Sequence, residues 1–239
     1  MSKKKLQRFA ENQTFPNLFQ PSPQEMYERE FELKGCWNKN YFHNENPIVV
    51  EFGCGKGEYT IGLAQKYPDK NFIGVDIKGA RLWRGCKTAH EAGLKNAAFV
   101  RNKIEFVNSL FAAGEVSEIW ITFPDPQPKK PKKRLTSSRF LSHYAKLLKP
   151  GGIIHLKTDN EPLHIYTLDI LKHNNLELLF ASDDLYHSGS ADEILSIQTF
   201  YEKQFLAKGM KITYLKFKIN QTTDFFEPIE VGKISESKF

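Results

Sequence analysis

Glu51, Asp76, Asn102 and Asp125 share a placement: each stands at or just past the end of a short apolar run. The runs are "IVVEFG" (48–53), "NFIGVDI" (71–77), "AAFVRN" (97–102) and "EIWITF" (118–123), the last followed by "PDP". Three carboxylates and an amide arranged this way are acceptors and a donor for holding a ligand, with no partner thiol or imidazole in the pattern to make a nucleophile. Between the first two lies "GCGKGEYT", in which Gly53, Gly55 and Gly57 permit a tight turn and close approach of backbone to a bound molecule. A pyrophosphate site of the G-x-G-x-x-G type wants its third glycine where this chain has Glu58. With Glu51 just before the turn, the loop is acidic where phosphates would lie, which favours a cationic ligand.

S-adenosylmethionine meets that description, carrying a sulfonium and an ammonium and no phosphate. In this reading Glu51, Gly53, Gly55 and Gly57 form the turn around it. Asp76 accepts from both ribose hydroxyls, and Asn102 reads the adenine edge. A plainer role for Asp76, capping the helix that begins near Gly79, stays open. Cys54 reads as a small residue of the turn, since nothing beside it would activate a thiol.

The fourth run delivers Asp125 to the same rim, between Pro124 and Pro126, which fix φ and stiffen the loop. Lys129, Lys130, Lys132, Lys133 and Arg134 follow at once. This window accounts for most of a net charge of +6 over 239 residues. A concentrated cationic loop points to a polyanionic partner, and without an apolar face beside it nucleic acid fits better than a membrane. The plain alternative is a solvated loop.

Strands must bring these residues together. The four runs, with "GIIHLKT" (152–158), are nearly continuous in apolar character, as in strands covered on both faces. Two further candidates are "LELLFAS" (176–182) and "KITYLKFKI" (211–219). Amphipathic stretches alternate with them. "GARLWRGCKTAHEAG" aligns Leu82, Cys86, Ala89 and Gly93, and "SSRFLSHYAKLLK" aligns Phe140, Leu141, Tyr144, Leu147 and Leu148 behind a cap at Thr136 or Ser137. The alternation predicts an α/β domain with a largely parallel sheet over residues 23–220. Residues 1–22 read as a mobile basic arm and 221–239 as a tail. Cys36, Cys54 and Cys86 form no CxxC pair, and the histidines show no zinc spacing, so no metal and a reducing cytoplasm are expected. No apolar run approaches membrane-spanning length.

In order and spacing, "VEFGCGKGEYT", "NFIGVDI", "ITFPDPQPKK", "RLTSSRFL", "GGIIHLKTDN" and "TFYEKQF" resemble the bacterial tRNA (guanine-N7)-methyltransferases, from about Trp37 to Phe217. The sequence carries Gln127 where that family commonly has Trp, and Asp76 where it commonly has Glu. The resemblance implies a doubly wound, mostly parallel, seven-stranded Rossmann-like methyltransferase sheet with helices on both faces. It implies that Glu51, Asp76, Asn102 and Asp125 hold S-adenosylmethionine, with Asp125 also catalytic. It further implies that Lys129, Asp159 and the segment from Thr199 to Glu202 meet a guanosine of the tRNA variable loop, and that Lys130, Lys132, Lys133 and Arg134 touch RNA. The partner is then tRNA, with a monomer and a homodimer both open. From the residues alone, Asp159 serves equally to accept from guanine or to cap the helix that includes Pro162. A same-fold methyltransferase acting on another substrate, or a non-catalytic RNA-binding subunit, also remains open here.

The expected chemistry needs no strong base. Guanine N7 offers an in-plane lone pair that Watson–Crick pairing leaves unused. Alignment and electrostatics then matter most, and a carboxylate at Asp125 would stabilise the positive charge that builds on the purine.

Overall fold

A computed structural model describes residues 3–28, 30–220 and 224–228. The chain opens with α1 (Lys3–Glu11), β1 (Leu18–Phe19) and α2 (Pro23–Glu28). The alternating core follows as β2 (Ile48–Phe52), α3 (Glu58–Lys66), β3 (Asn71–Asp76), α4 (Gly79–Glu91) and β4 (Ala97–Arg101). After the short α5 (Val107–Leu110) come β5 (Val116–Thr122), α6 (Ser138–Leu147), β6 (Leu148–Thr158) and α7 (Glu161–His173). The chain then adds β7 (Leu178–Ser182), α8 (Phe200–Ala207) and β8 (Thr213–Lys218).

The strands form one sheet in the order β1-β4-β3-β2-β5-β6-β8-β7. Pairings from β1 across to β6 are parallel, while β8 runs antiparallel to both β6 and β7. Every residue of β2 and β3 is buried, as their unbroken apolar runs require. Two apolar clusters cover the faces. Phe140 and Leu141 of α6 and Leu163 and Ile170 of α7 pack on one; Tyr59 and Leu63 of α3 and Leu82 and Cys86 of α4 pack on the other. The strand order reverses at β2, with β3 and β4 on one side and β5 and β6 on the other, and ligand crevices open beyond strand ends at such a point. Register makes this rim level, since Phe52 aligns with Val75 and Ile121, and Thr122 with Lys157. Asp76 ends β3 there, and Gly53, Asn102, Asp125 and Asp159 follow strands ending there.

Two expectations need correction. The segment 1–22 is not a loose arm over its described part. Helix α1 lies against α4, with Asn12 Nδ2 donating to Gly79 O (2.9 Å) and Asn17 Nδ2 to Cys86 O (3.1 Å). Leu18 and Phe19 then pair with Phe99 and Val100, making eight strands where seven were expected. The Phe19 ring meets Phe31, Trp37 and Tyr41 edge-on at 5.1–6.2 Å. A two-residue strand held by amide side chains leaves no periodicity to read.

The tail is corrected in the same way. Residues 221–223 and 229–239 lie outside the described residues, but 224–228 pack on the body. Phe225 is buried, and Asn174 exchanges two hydrogen bonds with the backbone of Phe226. Neither Thr136 nor Ser137 caps α6 by its side chain; Glu227 Oε1 accepts from Ser138 N (3.0 Å) instead. Among the described residues no helix is long and apolar enough to cross a membrane.

Candidate cofactor and substrate site

A cleft of about 470 Å³ opens at the rim where β2, β3, β4 and β5 end. Gly53, Asp76, Asn102, Asp125 and Gln127 line it. Gly53 takes φ +77°, a conformation that favours glycine, and its nearest neighbour on the side-chain position is Leu135 Cδ1 at 3.8 Å, so conformation and not space requires the glycine. Gly57 is different. A Cβ there would lie 2.6 Å from the Phe99 ring, and the missing side chain lets the glycine turn settle on β4.

Asp76 is buried at the cleft wall. Its Oδ2 accepts from Gly55 N (3.0 Å) and its Oδ1 from Lys78 N (2.7 Å), so it shapes the turn and the start of α4 together. Each oxygen accepts one of these bonds and keeps a lone pair for a ligand. Asn102 Oδ1 accepts from Lys103 N (2.7 Å), while its buried Nδ2 has no partner. Buried donors are seldom left unpaired in a protein without a ligand to take them.

Glu51 lies one layer behind and does not line the cleft. Its carboxylate accepts from Thr122 Oγ1 (2.6 Å), Thr60 N (2.8 Å) and Thr60 Oγ1 (2.5 Å), tying β2 to β5 and α3. Burial pushes its carboxyl up to about 7, against the opposing pull of these hydrogen bonds.

Asp125 is exposed on the far wall, its Oδ1 accepting from Gln127 N (3.1 Å). Phe123 (φ +49°) and Gln127 (φ +47°) flank it in the left-handed region, where a bulky non-glycine residue is strained. Such strain gathers where a loop must hold one geometry. Lys129, Lys130, Lys132 and Lys133 are exposed along the following turns, and Lys133 reaches the cleft wall. Arg134 departs from the expected outward arm and is fully buried, its guanidinium carbon 4.1 Å from the Tyr166 ring centroid. The planar cation finds an aromatic face there, so the outward charge ends at Lys133.

The segment 199–202 forms the start of α8. Thr199 caps it, with Thr199 Oγ1 accepting from Glu202 N (3.1 Å) and Glu202 Oε2 from Thr199 N (3.3 Å). Glu202 is fully buried and cannot touch a ligand in this arrangement; it pairs with Lys157 Nζ (2.6 Å) and accepts from Tyr186 OH (2.6 Å). The residues between face outward instead. A small hollow of about 50 Å³ beside the glycine turn is bounded by Arg81, Phe123, Thr199, Phe200 and Tyr201. Lys56 Nζ sits 3.3 Å from the Phe200 ring centroid, and Arg81 lies 5.2 Å from that of Tyr201. Sequence reasoning missed Arg81, because the start of α4 comes to lie beside the segment 199–202 only in the fold. Asp159 does not cap α7, since Asn160 Oδ1 accepts from Leu163 N (2.9 Å) and takes that role. Asp159 is half-buried, which raises its carboxyl above the usual range.

Known proteins match most of this chain. A family profile described as "Putative methyltransferase" matches residues 45–215. A tRNA (guanine-N(7)-)-methyltransferase of Christiangramia forsetii is 57% identical over 91% of this chain and 99% of its own length. This chain belongs to that family. Another member, from Bacteroides thetaiotaomicron, is 50% identical over 95% of this chain and 90% of its own. Among solved structures, the 16S rRNA methyltransferase KamB superposes with a TM-score of 0.62 at 14% identity, covering 81% of this chain and 97% of that one. At that identity the likeness shows the methyltransferase fold. S-adenosylmethionine, the family's methyl donor, suits the groups present. Asp76 has acceptor capacity left, Asn102 has a donor unspent, and the glycine turn lies open to the cleft.

Proposed function

We propose that this tRNA (guanine-N7)-methyltransferase family member methylates N7 of a guanosine in the variable loop of tRNA, in the cytoplasm. One observation carries the reading. A single strained loop places a carboxylate on the cleft wall and four lysines on the surface beside it.

Asp76 would hold the ribose of S-adenosylmethionine and Asn102 its adenine, with Gly53, Gly55 and Gly57 giving room for the rest. That cofactor supplies an electrophilic methyl group on sulfur. Asp125 stands where positive charge builds on the purine and stabilises it electrostatically; N7 has no proton to lose, so no base is required. Asp159, freed from capping, accepts from guanine N1–H and N2–H₂, and Lys129 meets the same nucleoside. Thr199 shapes the start of α8, so that Phe200 and Tyr201 present their rings at the entrance. Glu51 and Glu202 act from behind, fixing the turn and the helix that the ligands meet. Lys130, Lys132 and Lys133 take the RNA backbone.

Unmodified tRNA transcripts incubated with methyl-labelled S-adenosylmethionine test this by nucleoside mass spectrometry. Labelled 7-methylguanosine is expected, with Asp125→Ala lowering turnover about 100-fold, the scale for losing a group that stabilises transition-state charge. Label in another nucleoside, or none in tRNA with cofactor binding intact, refutes the substrate assignment.

A further inference from the structure

Arg134 ends the cationic run yet adds nothing to its outward charge, being fully buried. Its Nε donates to Pro126 O (3.3 Å), eight positions back, and so draws the end of the loop onto the residue next to Asp125. Its planar head lies over Tyr166 of α7 at 4.1 Å. The Tyr166 hydroxyl donates to Glu227 Oε2 (2.6 Å), and Glu227 Oε1 accepts from Ser138 N and from Ser138 Oγ (2.7 Å) at the start of α6. The loop is fixed to the body at its two ends, where Phe123 N donates to Lys157 O (2.8 Å) on β6 and Ser137 Oγ donates to Lys132 O (3.3 Å). Between them its backbone bonds are short-range turns, from Lys130 N to Gln127 O and Lys133 N to Lys130 O, and Pro126 beside Asp125 is tied down by Arg134. The η nitrogens of Arg134 have no hydrogen-bond partner, so its charge is balanced by the ring face and by nearby Glu227. A buried cation so placed is a poor phosphate ligand and a good strut.

We propose that Arg134 is a positioning residue for Asp125, and that the C-terminal segment at Glu227 shares in that positioning through Tyr166. The proposal rests on the reading of Asp125 given above. It separates the cationic run by role: the lysines hold RNA, and the arginine holds the loop. It also gives residues 224–228 a part in methyl transfer although they lie away from the cleft.

The test uses the full chain with Arg134→Met, Tyr166→Phe and Glu227→Gln, and Asp125→Ala as control. Three quantities are measured: the single-turnover methylation rate at saturating tRNA, the salt dependence of tRNA affinity, and amide hydrogen exchange across residues 123–133. Each of the three variants should lower the rate about tenfold and speed exchange in that segment, with the salt slope at the wild-type value. The double variant of Arg134 and Glu227 should be no slower than Arg134→Met alone, as for members of one linked chain. A slope reduced by about 0.9, the value for a single neutralised phosphate, with unchanged exchange in Arg134→Met would make it an RNA ligand and overturn the proposal. Should Arg134→Met fail to fold, Glu227→Gln decides: wild-type rate and exchange there overturn the tether. Full activity in Asp125→Ala instead refutes the reading of Asp125, and the positioning claim with it.

Discussion

The rim of the cleft and the layer just behind it use the same side chains in opposite ways. Asp76, Asn102 and Asp125 on the rim each keep hydrogen-bonding capacity unspent. One layer back, Glu51 is enclosed by the fold and accepts three hydrogen bonds from two threonines, and Glu202 is enclosed with Lys157, Tyr186 and its own helix start. A carboxylate at a strand or helix end therefore does not declare its role by position. What distinguishes a ligand group from a brace is whether the hydrogen-bonding capacity that the fold leaves over opens on the cleft.

The sharpest way to break this distinction is Glu202→Ala. If Glu202 is a brace, the loss strands Lys157 as an unpaired buried cation and should destabilise the fold by about 3 kcal/mol or more, measured by denaturant unfolding. Weakened guanosine use with unchanged stability would instead return Glu202 to the rim class.

Glu51 offers a second contrast, through pH. Folding raises its carboxyl from 4.5 to about 7, so the folded state binds that proton more tightly than the unfolded chain. Its contribution is full below 4.5 and is lost as pH rises through about 7. Relative to Glu51→Gln, the wild-type protein should lose up to about 3 kcal/mol of unfolding free energy across that window. A flat difference would show that its threonine donors outweigh burial.

On the rim, Asn102→Ala should weaken S-adenosylmethionine binding about tenfold in calorimetry and cost only about 1 kcal/mol of stability, since its Nδ2 bonds nothing in the free protein and its oxygen only Lys103 N. The smallest expected effect is on the RNA arm. Neutralising Lys130, Lys132 and Lys133 together should reduce the salt slope of tRNA affinity by roughly 0.7–0.9 for each phosphate that these lysines pair with. An unchanged slope would move the RNA elsewhere on the surface.

The central sheet was legible because buried parallel strands are long apolar runs, and the rim residues because they follow those runs directly. Asp125 and its prolines could be read from a dozen contiguous residues. Glu202 and Arg134 could not be placed that way. Glu202 has its partner far earlier in the chain, in β6, and Arg134 has one on α7, and no local pattern reports that a charge will be met by Lys157 or by the face of Tyr166. Leu18 and Phe19 escaped for a related reason. Their strand is two residues long and its partner, β4, begins at Ala97.

That last pairing has a consequence for how the protein is made. Synthesis runs from the N-terminus, so Asn12 and Asn17 leave the ribosome well before the carbonyls of Gly79 and Cys86 that they will satisfy, 67 and 69 positions later. Leu18 and Phe19 must likewise wait for Phe99 and Val100. This segment is therefore made well before the elements it docks on, and its pairing with the sheet cannot form until β4 has emerged.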